Sequence, residues 1–167
     1  MKKSTLTAAT VTTLLLLIGS ARAVDFPDMP PMKEGLWKIH NITADKGKPP
    51  DDTTLTLCRD HVYDNGARAA AKKMLDKCTS ISDTKLLGKR TITMSCTIGG
   101  SKIVTKSTLV AASDTHYRSE STTTYDPPFY GQTQTSMIQE QTYMGACPAG
   151  MSPGDRMTAD GKIQKHH

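Results

Sequence analysis

The sequence predicts an α+β fold dominated by a curved antiparallel β-sheet, a meander of about six to seven strands with one short helix and two disulfides. Apolar and polar residues alternate without a fault over residues 91–98, which is typical of a strand with one buried face. A Gly99-Gly100 pair follows and favours a two-residue hairpin turn. The chain also contains four cysteines, an even number that indicates a disulfide framework in an exported protein.

The N-terminus has the pattern of a secretory signal peptide. Lys2 and Lys3 precede an apolar run over residues 6–18, and an Ala-Arg-Ala tripeptide follows at 21–23. This order predicts a signal peptide over residues 1–23 that is removed on export. A membrane anchor is the alternative, but the run is shorter than the roughly 20 apolar residues that span a bilayer. We therefore expect a periplasmic protein with no transmembrane segment after cleavage.

The charge of the mature chain is close to neutral. The full sequence has 21 Lys and Arg against 16 Asp and Glu, for a net charge of +5. The leader holds Lys2, Lys3 and Arg22, so 18 basic residues remain against the same 16 acids, a net charge of +2. Without a dense basic run, and with few aromatic residues, the chain is not expected to bind nucleic acid.

The mature chain has a length that suits one domain. Residues 24–34 contain three prolines and predict an extended N-terminal segment. Residues 35–157 predict a single β-rich domain, and residues 158–167 predict a flexible C-terminal tail. The predicted strands are 36–43, 53–58, a hairpin arm after Cys78, 91–98, 102–111, 115–125 and 132–144.

One helix is predicted between the second and third strands. Its apolar residues recur at helical spacing: Ala67, Ala70, Ala71, Met74 and Leu75. Either Asp64 or Asn65 can cap its N-terminus. Because the apolar stripe is mostly alanine, we expect this helix to lie close against its partner surface.

The cysteine positions predict one pairing out of three possible ones. Cys78 and Cys96 flank a predicted hairpin symmetrically, with its centre near residue 87. Cross-strand neighbours lie at a separation that a disulfide can bridge, so we predict Cys78–Cys96 and, with it, Cys58–Cys147. The hairpin turn after Cys96 also predicts that Cys96 lies opposite Ile103. A zinc or redox site is less consistent with the sequence, since it contains no C-x-x-C pair.

The later strands are polar on both faces. Residues 118, 120, 122 and 124 suit solvent, while Ser119, Ser121 and Thr123 form the other face between Tyr117 and Tyr125. Such a sheet either overhangs a small core, which we favour, or lines a wet cleft. If a ligand cleft exists, its candidate residues are the aromatic ones: Trp37, Tyr117, Tyr125, Phe129 and Tyr130.

Both ends of the domain resemble a known bacterial family. Residues 145–155, GACPAGMSPGD, form a rigid turn with one cysteine, and residues 33–38, KEGLWK, place a glycine and a leucine before a tryptophan. These motifs resemble the closing and opening signatures of the domain of unknown function 3617 (DUF3617), over roughly residues 32–157. The resemblance implies a small exported proteobacterial protein, most simply periplasmic. It implies no activity and no catalytic residue.

The sequence favours a non-enzymatic periplasmic binding or interaction protein, with an envelope protein or a small molecule as partner and no cofactor. An interaction protein would use a Ser/Thr-rich sheet edge. The alternatives are a binder of a small molecule or lipid, and a Cu(I) binder that uses the thioethers of Met29 and Met32. An enzyme is less favoured, because there is no G-x-S-x-G and His40, His61 and His116 are scattered.

Overall fold

The structure, a computed structural model, describes residues 31–87 and 89–166. The predicted signal peptide, residues 24–30 of the extended segment, and Met29 with them, lie outside these ranges. The strands are β1 (Gly35–Asp45), β2 (Asp51–Arg59), β3 (Cys78–Leu86), β4 (Lys89–Ile98), β5 (Ser101–Ala112), β6 (His116–Phe129), β7 (Gln132–Gly145), β8 (Arg156–Thr158) and β9 (Ile163–Gln164). The helix α1 (His61–Met74) is followed by a 3₁₀ turn, Leu75–Lys77.

The strands described form a single antiparallel sheet in the order β3-β4-β5-β6-β7-β1-β2-β8-β9. From β3 to β7 the sheet is a meander, because each strand pairs with the next one along the chain. The first strand then pairs with β7 on one side and β2 on the other. The sheet is not closed, so β3 and β9 are its edges.

The predicted number of strands was wrong, since the described residues contain nine. The seven predicted strands correspond to β1–β7, and the pairing of Cys96 with Ile103 across the Gly99-Gly100 turn is confirmed. The two additional strands, β8 and β9, are three and two residues long, too short to show an alternating pattern. One of them, β9, falls inside the segment predicted as a C-terminal tail.

Trp37 lies at the centre of a small core. Its side chain is fully buried between Leu57 of β2 and Tyr143 of β7, its partners in the two neighbouring strands. The rings of Trp37 and Tyr143 meet edge to face with centroids 5.8 Å apart, and Trp37 Nε1 donates a hydrogen bond to Lys33 O at 2.8 Å. The other buried hydrophobic residues among those described are Ile39, Leu57, Cys58, Leu75 and Met151.

The opening and closing motifs meet at this core. Cys58, next to Leu57 in β2, forms a disulfide with Cys147. Cys58 N also donates to Asp155 O at 3.0 Å, and Gly154 N donates to Cys58 O at 2.7 Å. The turn that contains Cys147 is therefore fastened to the end of β2, the strand that pairs with Trp37, by one covalent bond and two backbone hydrogen bonds.

The second disulfide joins Cys78 to Cys96 across β3 and β4. Both disulfides thus have the predicted partners. The first closes 89 residues and ties the two ends of the domain together, whereas the second closes only 18 and holds the edge strand β3 to its neighbour.

The helix α1 connects strands on opposite sides of the sheet. Five strands separate β2 from β3, a distance of about 29 Å along the sheet at a strand spacing of about 4.8 Å. The 14 residues of α1 and the three of the 3₁₀ turn span about 27 Å. The helix and its 3₁₀ turn are therefore about as long as the distance that the chain must cross between β2 and β3.

The N-terminal cap of α1 is Asp60, not Asp64 or Asn65 as predicted. The Asp60 side chain accepts a hydrogen bond from Tyr63 N at 2.7 Å. The helix begins at His61, six residues before the first alanine of its stripe, because it must start directly at the end of β2 to reach β3. Asp64 instead takes part in an ion pair with Arg59.

We expect the two disulfides to stabilise the fold unequally. Replacing Cys58 and Cys147 with serine should lower the free energy of unfolding by about 4.6 kcal/mol, and replacing Cys78 and Cys96 by about 3.2 kcal/mol, because the longer loop gains more chain entropy on reduction. Urea unfolding of both double variants measures the difference. A larger loss for the Cys78 and Cys96 variant would contradict this ranking.

A glycine beside Trp37 should be difficult to replace. Gly35 has φ +139°, and a Cβ there would lie 2.8 Å from the Tyr143 ring and still closer to Gly145 O. Gly35→Ala should destabilise the fold by more than about 2 kcal/mol. Gly47→Ala, at φ +85° in open space, is the control and should cost about 1 kcal/mol. Equal losses in urea unfolding would show that the contact with Gly145 is unimportant.

Candidate functional site

A cavity of about 750 Å³ lies between α1 and the sheet. Its lining combines the helix with one face of β6 and β7, here called the helix face and defined by Tyr117, Gln139 and Gln141. The lining residues are Pro31, Met32, Arg59, His61, Asp64, Asn65, Ala67, Arg68, Ala71, Tyr117, Gln139 and Gln141. We call this space the strap cleft.

The helix does not pack closely on the sheet, so the expectation drawn from its alanine stripe was wrong. None of the described residues of α1 is buried, and Met74 is 62% exposed. Ala67 and Ala71 line the strap cleft instead of contacting a partner surface. The first buried side chain after the helix is Leu75, in the 3₁₀ turn, which contacts β4. The helix is anchored at its ends, and its middle stands off the sheet.

A ladder of amide side chains forms the sheet wall of the strap cleft. Arg59 Nη1 donates to Gln141 Oε1 at 2.8 Å, and Gln141 Nε2 donates to Gln139 Oε1 at 2.8 Å. Gln139 Nε2 in turn donates to Asn41 Oδ1 at 3.0 Å. The two glutamines are two residues apart on β7, so both point to the helix face. We call Arg59, Gln141, Gln139 and Asn41 the amide ladder.

Arg59 is held in place on three sides. Its Nε and Nη2 bond Asp64 Oδ1 at 2.9 and 2.7 Å, and its guanidinium lies 5.5 Å from the centre of the Trp37 ring. The Arg59 and Asp64 side chains are only 14% and 17% exposed, so solvent screens this pair less than a surface pair. Arg59 therefore links the core, the start of α1 and the amide ladder.

The other face of the same strands is charged. Arg118 of β6 bonds both Glu140 of β7 and Glu120. The hydrogen bond from Arg118 holds the pKa of Glu140 below its ordinary value. These side chains point away from α1 because they alternate with Tyr117 and Gln141. The strands are polar on both faces, as the sequence indicated, but ion pairs occupy one face and mainly neutral groups the other.

A second cavity, of about 630 Å³, lies beside the first turns of α1. His166, next to the chain end, closes one side of it and meets the Tyr63 ring edge to face at 5.6 Å. Asp155 fixes this end of the chain, since it accepts hydrogen bonds from Lys165 Nζ at 2.8 Å and from His166 N at 3.0 Å. The C-terminal residues are thus fastened beside α1.

The structure does not bring the five predicted cleft aromatics together. Tyr117 lines the strap cleft, whereas Trp37 is buried in the core beneath Arg59. The other three lie at the hairpin between β6 and β7, where Tyr125 stacks on Phe129 at 6.1 Å and Phe129 contacts Tyr130 at 4.5 Å. Tyr130 is 90% exposed. These three form a separate cluster.

The reactive side chains described are dispersed or bonded. All four cysteines form disulfides, which leaves no thiol as a nucleophile. His40 pairs with Asp52 at 2.8 Å and His61 with Glu34 at 3.2 Å, on the surface. Over residues 31–87 and 89–166, no group of three or more His, Cys, Asp or Glu is arranged to hold a metal ion. Met32 lines the strap cleft.

Sequence reasoning missed the amide ladder. Gln139 and Gln141 are successive residues on the helix face of β7, and two adjacent amides on one face are a local signal for a polar wall. Arg59 gave no such signal, because its partners Asp64 and Gln141 are distant from one another along the chain. Only the pairing of β1 with both β2 and β7 brings these groups together.

Comparisons with known proteins add no family to this geometry. No family model matches the chain, and searches of curated proteins and of solved structures likewise find no match. Among the residues that the structure describes, no helix has the length and apolar character needed to cross a bilayer.

We expect Asp155 to stabilise the fold in a pH-dependent way. The hydrogen bond from Lys165, followed by those from the backbone N–H groups of Ser152 and His166, holds the pKa of Asp155 well below its ordinary value. A depressed carboxyl pKa stabilises the folded state above the unfolded pKa, about 3.9, and this stabilisation is lost as the pH falls further. Asp155→Asn should therefore unfold at lower urea than wild type at pH 7.

The difference between wild type and Asp155→Asn should shrink as the pH falls below about 4. Lys165→Met removes the strongest partner of the carboxylate and should weaken the same pH dependence. Urea midpoints of the three proteins between pH 7 and pH 2.5 measure this effect. A wild-type advantage that stays constant across this range would contradict the role of the Asp155 charge.

Proposed function

We propose that this protein is a non-enzymatic, periplasmic binding protein that holds a small molecule in the strap cleft. The observation that carries the proposal is the helix that stands off a polar sheet face and leaves an open groove of about 750 Å³ between the two. Ligand pockets typically have volumes of about 300–1,000 Å³ and lie between secondary elements. Ala67 and Ala71 face the strap cleft and do not pack against the sheet, so the space between helix and sheet is left for a ligand.

The wall of the cleft supports binding more than catalysis. Its polar groups are held by one another, as in the bonds from Arg59 to Gln141 and from Gln141 to Gln139. A preorganised wall of this kind binds well, because little side-chain entropy is lost when a ligand arrives. A nucleophile with an adjacent base, the usual requirement of covalent catalysis, has no counterpart among the lining residues.

The location in the periplasm and the membership of DUF3617 belong to the same proposal. The leader pattern of residues 1–23 supports export, and two disulfides are the form that cysteines take in an oxidising compartment. The motifs at 33–38 and 145–155 support the family through their resemblance to its opening and closing signatures, and both pack at the core around Trp37 and Cys58. Their role there is structural, and the resemblance itself implies no activity.

A filled cleft should abolish binding without unfolding the protein. Ala71 lines the strap cleft, and the ring in Ala71→Phe would take up space that a ligand needs. Ala69→Phe places the same ring on an exposed part of α1 that lines neither cavity and is the matched control. Native mass spectrometry of mature protein from the periplasm should show an extra non-covalent mass on wild type and on Ala69→Phe. The same mass should be missing from Ala71→Phe.

Circular dichroism of both variants checks that the fold is retained. The proposal would be wrong if Ala71→Phe kept the extra mass, because the ligand would then lie elsewhere. It would also be wrong if wild type carried no extra mass even after incubation with an envelope extract. The protein would then be better described as an interaction protein, with the outer edge of β3 as a docking surface.

A further inference from the structure

We infer that the ligand of the strap cleft is a neutral molecule rich in paired hydrogen-bond donors and acceptors, of the saccharide class, and not an acyl chain or an anion. This inference rests on the proposed binding function and names its ligand class. Three observations carry it: the donors and acceptors that the amide ladder leaves free, the side chains beside the ladder, and the partners that already bind the Arg59 guanidinium.

The amide ladder has a fixed direction. A guanidinium group only donates hydrogen bonds, so Gln141 must turn its oxygen toward Arg59 and its nitrogen toward Gln139. Gln139 must then accept from Gln141 and donate to Asn41, as the distances of 2.8 and 3.0 Å describe. Arg59 therefore acts as a positioning residue that sets the orientation of every amide after it.

Each glutamine of the amide ladder has one donor and one acceptor site left over. A primary amide offers two N–H donors and two acceptor lone pairs, and the described bonds of Gln139 and Gln141 use one of each. The wall therefore presents alternating donors and acceptors, one pair for each glutamine. A hydroxyl group, which both donates and accepts, or an acetamido group, matches this pattern.

The neighbours of the amide ladder on β6 are Ser119 and Tyr117, of which Tyr117 lines the cleft. Ser119 of β6 lies opposite Gln139 and is buried, and Tyr117 lies opposite Gln141 with its ring on the cleft. A tyrosine ring supplies an apolar surface with a polar tip, which suits the mixed C–H and O–H surface of a sugar ring. An acyl chain would instead leave the remaining donors and acceptors of the two lining amides without partners, which is unfavourable.

The charge of the strap cleft does not favour an anion. The Nε, Nη1 and Nη2 atoms of Arg59 already bond Asp64 and Gln141, so a ligand carboxylate would have to displace these partners. The other two basic residues of the lining are engaged as well, since His61 pairs with Glu34 and Arg68 has an interaction partner of its own. The hydrogen-bond donors and acceptors that remain for a ligand in the amide ladder belong to the neutral amides of Gln139 and Gln141.

The test uses N,N′-diacetylchitobiose, which carries both hydroxyl and acetamido groups, as the saccharide probe. The neutral dye 1-N-phenylnaphthylamine is the apolar probe and decanoate is the anionic one. Each is titrated into the ¹⁵N-labelled mature protein, and the side-chain amide signals of Gln139 and Gln141 are followed by NMR. The disaccharide should shift both pairs of signals in a saturable way, and more strongly than the other two probes.

Two variants identify the wall that binds. Gln141→Leu removes the amide together with the donor and the acceptor that it has left for a ligand, and should weaken disaccharide binding about tenfold or more. Gln134→Leu makes the same change on the opposite face of β7 and should leave the affinity unchanged. The folded spectra of both variants exclude unfolding as the cause.

The outcomes separate the ligand class from the binding function. Tighter binding of the dye or decanoate in the cleft, unaffected by Gln141→Leu, would overturn the saccharide inference but leave the binding function in place. Failure of the disaccharide to shift the two glutamines would also overturn the inference. The binding function would then depend on the extra mass carried by wild type and lost in Ala71→Phe.

Discussion

The structure depends on the burial of Trp37 at one end of an open sheet. The small core forms around this side chain, and it is where the start and the end of the domain meet. Cys58 and Cys147 lock that meeting covalently, and the turn around Gly154 adds backbone hydrogen bonds to the same strand. A domain with so few buried apolar residues needs this covalent help, because hydrophobic burial alone offsets little of its chain entropy.

The position of α1 follows from the same arrangement. Once β1 pairs with β7, the chain leaving β2 must cross five strands to start β3, and α1 with its 3₁₀ turn is just long enough. A helix stretched between two fixed ends does not settle onto the sheet, so a cleft remains beneath it. Arg59 belongs to both parts, since it lies over the Trp37 ring and orders the amide ladder that faces the cleft. The contact between Arg59 and Trp37 thus joins the core to the candidate site.

Local patterns predicted much of this fold and little of its site. The alternation in β4, the Gly99-Gly100 turn and the symmetry of Cys78 and Cys96 are all encoded within short segments, and the structure contains each of them. The pairing of β1 with β7 is encoded in no short segment, so the strand order and the crossing helix were not foreseen. The same pairing assembles the amide ladder, and for that reason the aromatic residues were proposed for the cleft instead of Gln139 and Gln141.

We expect water to fill the strap cleft and to separate α1 from the amide ladder in the ligand-free protein. Nuclear Overhauser spectra of ¹⁵N-labelled, refolded mature protein test it directly, because side-chain amides that face water show cross-peaks to the water signal. The account predicts such cross-peaks for Gln139 and Gln141, and none from these amides to the methyl groups of Ala67 and Ala71. Strong contacts between those methyl groups and the glutamine amides, without water cross-peaks, would show that the helix packs on the sheet and would contradict the account.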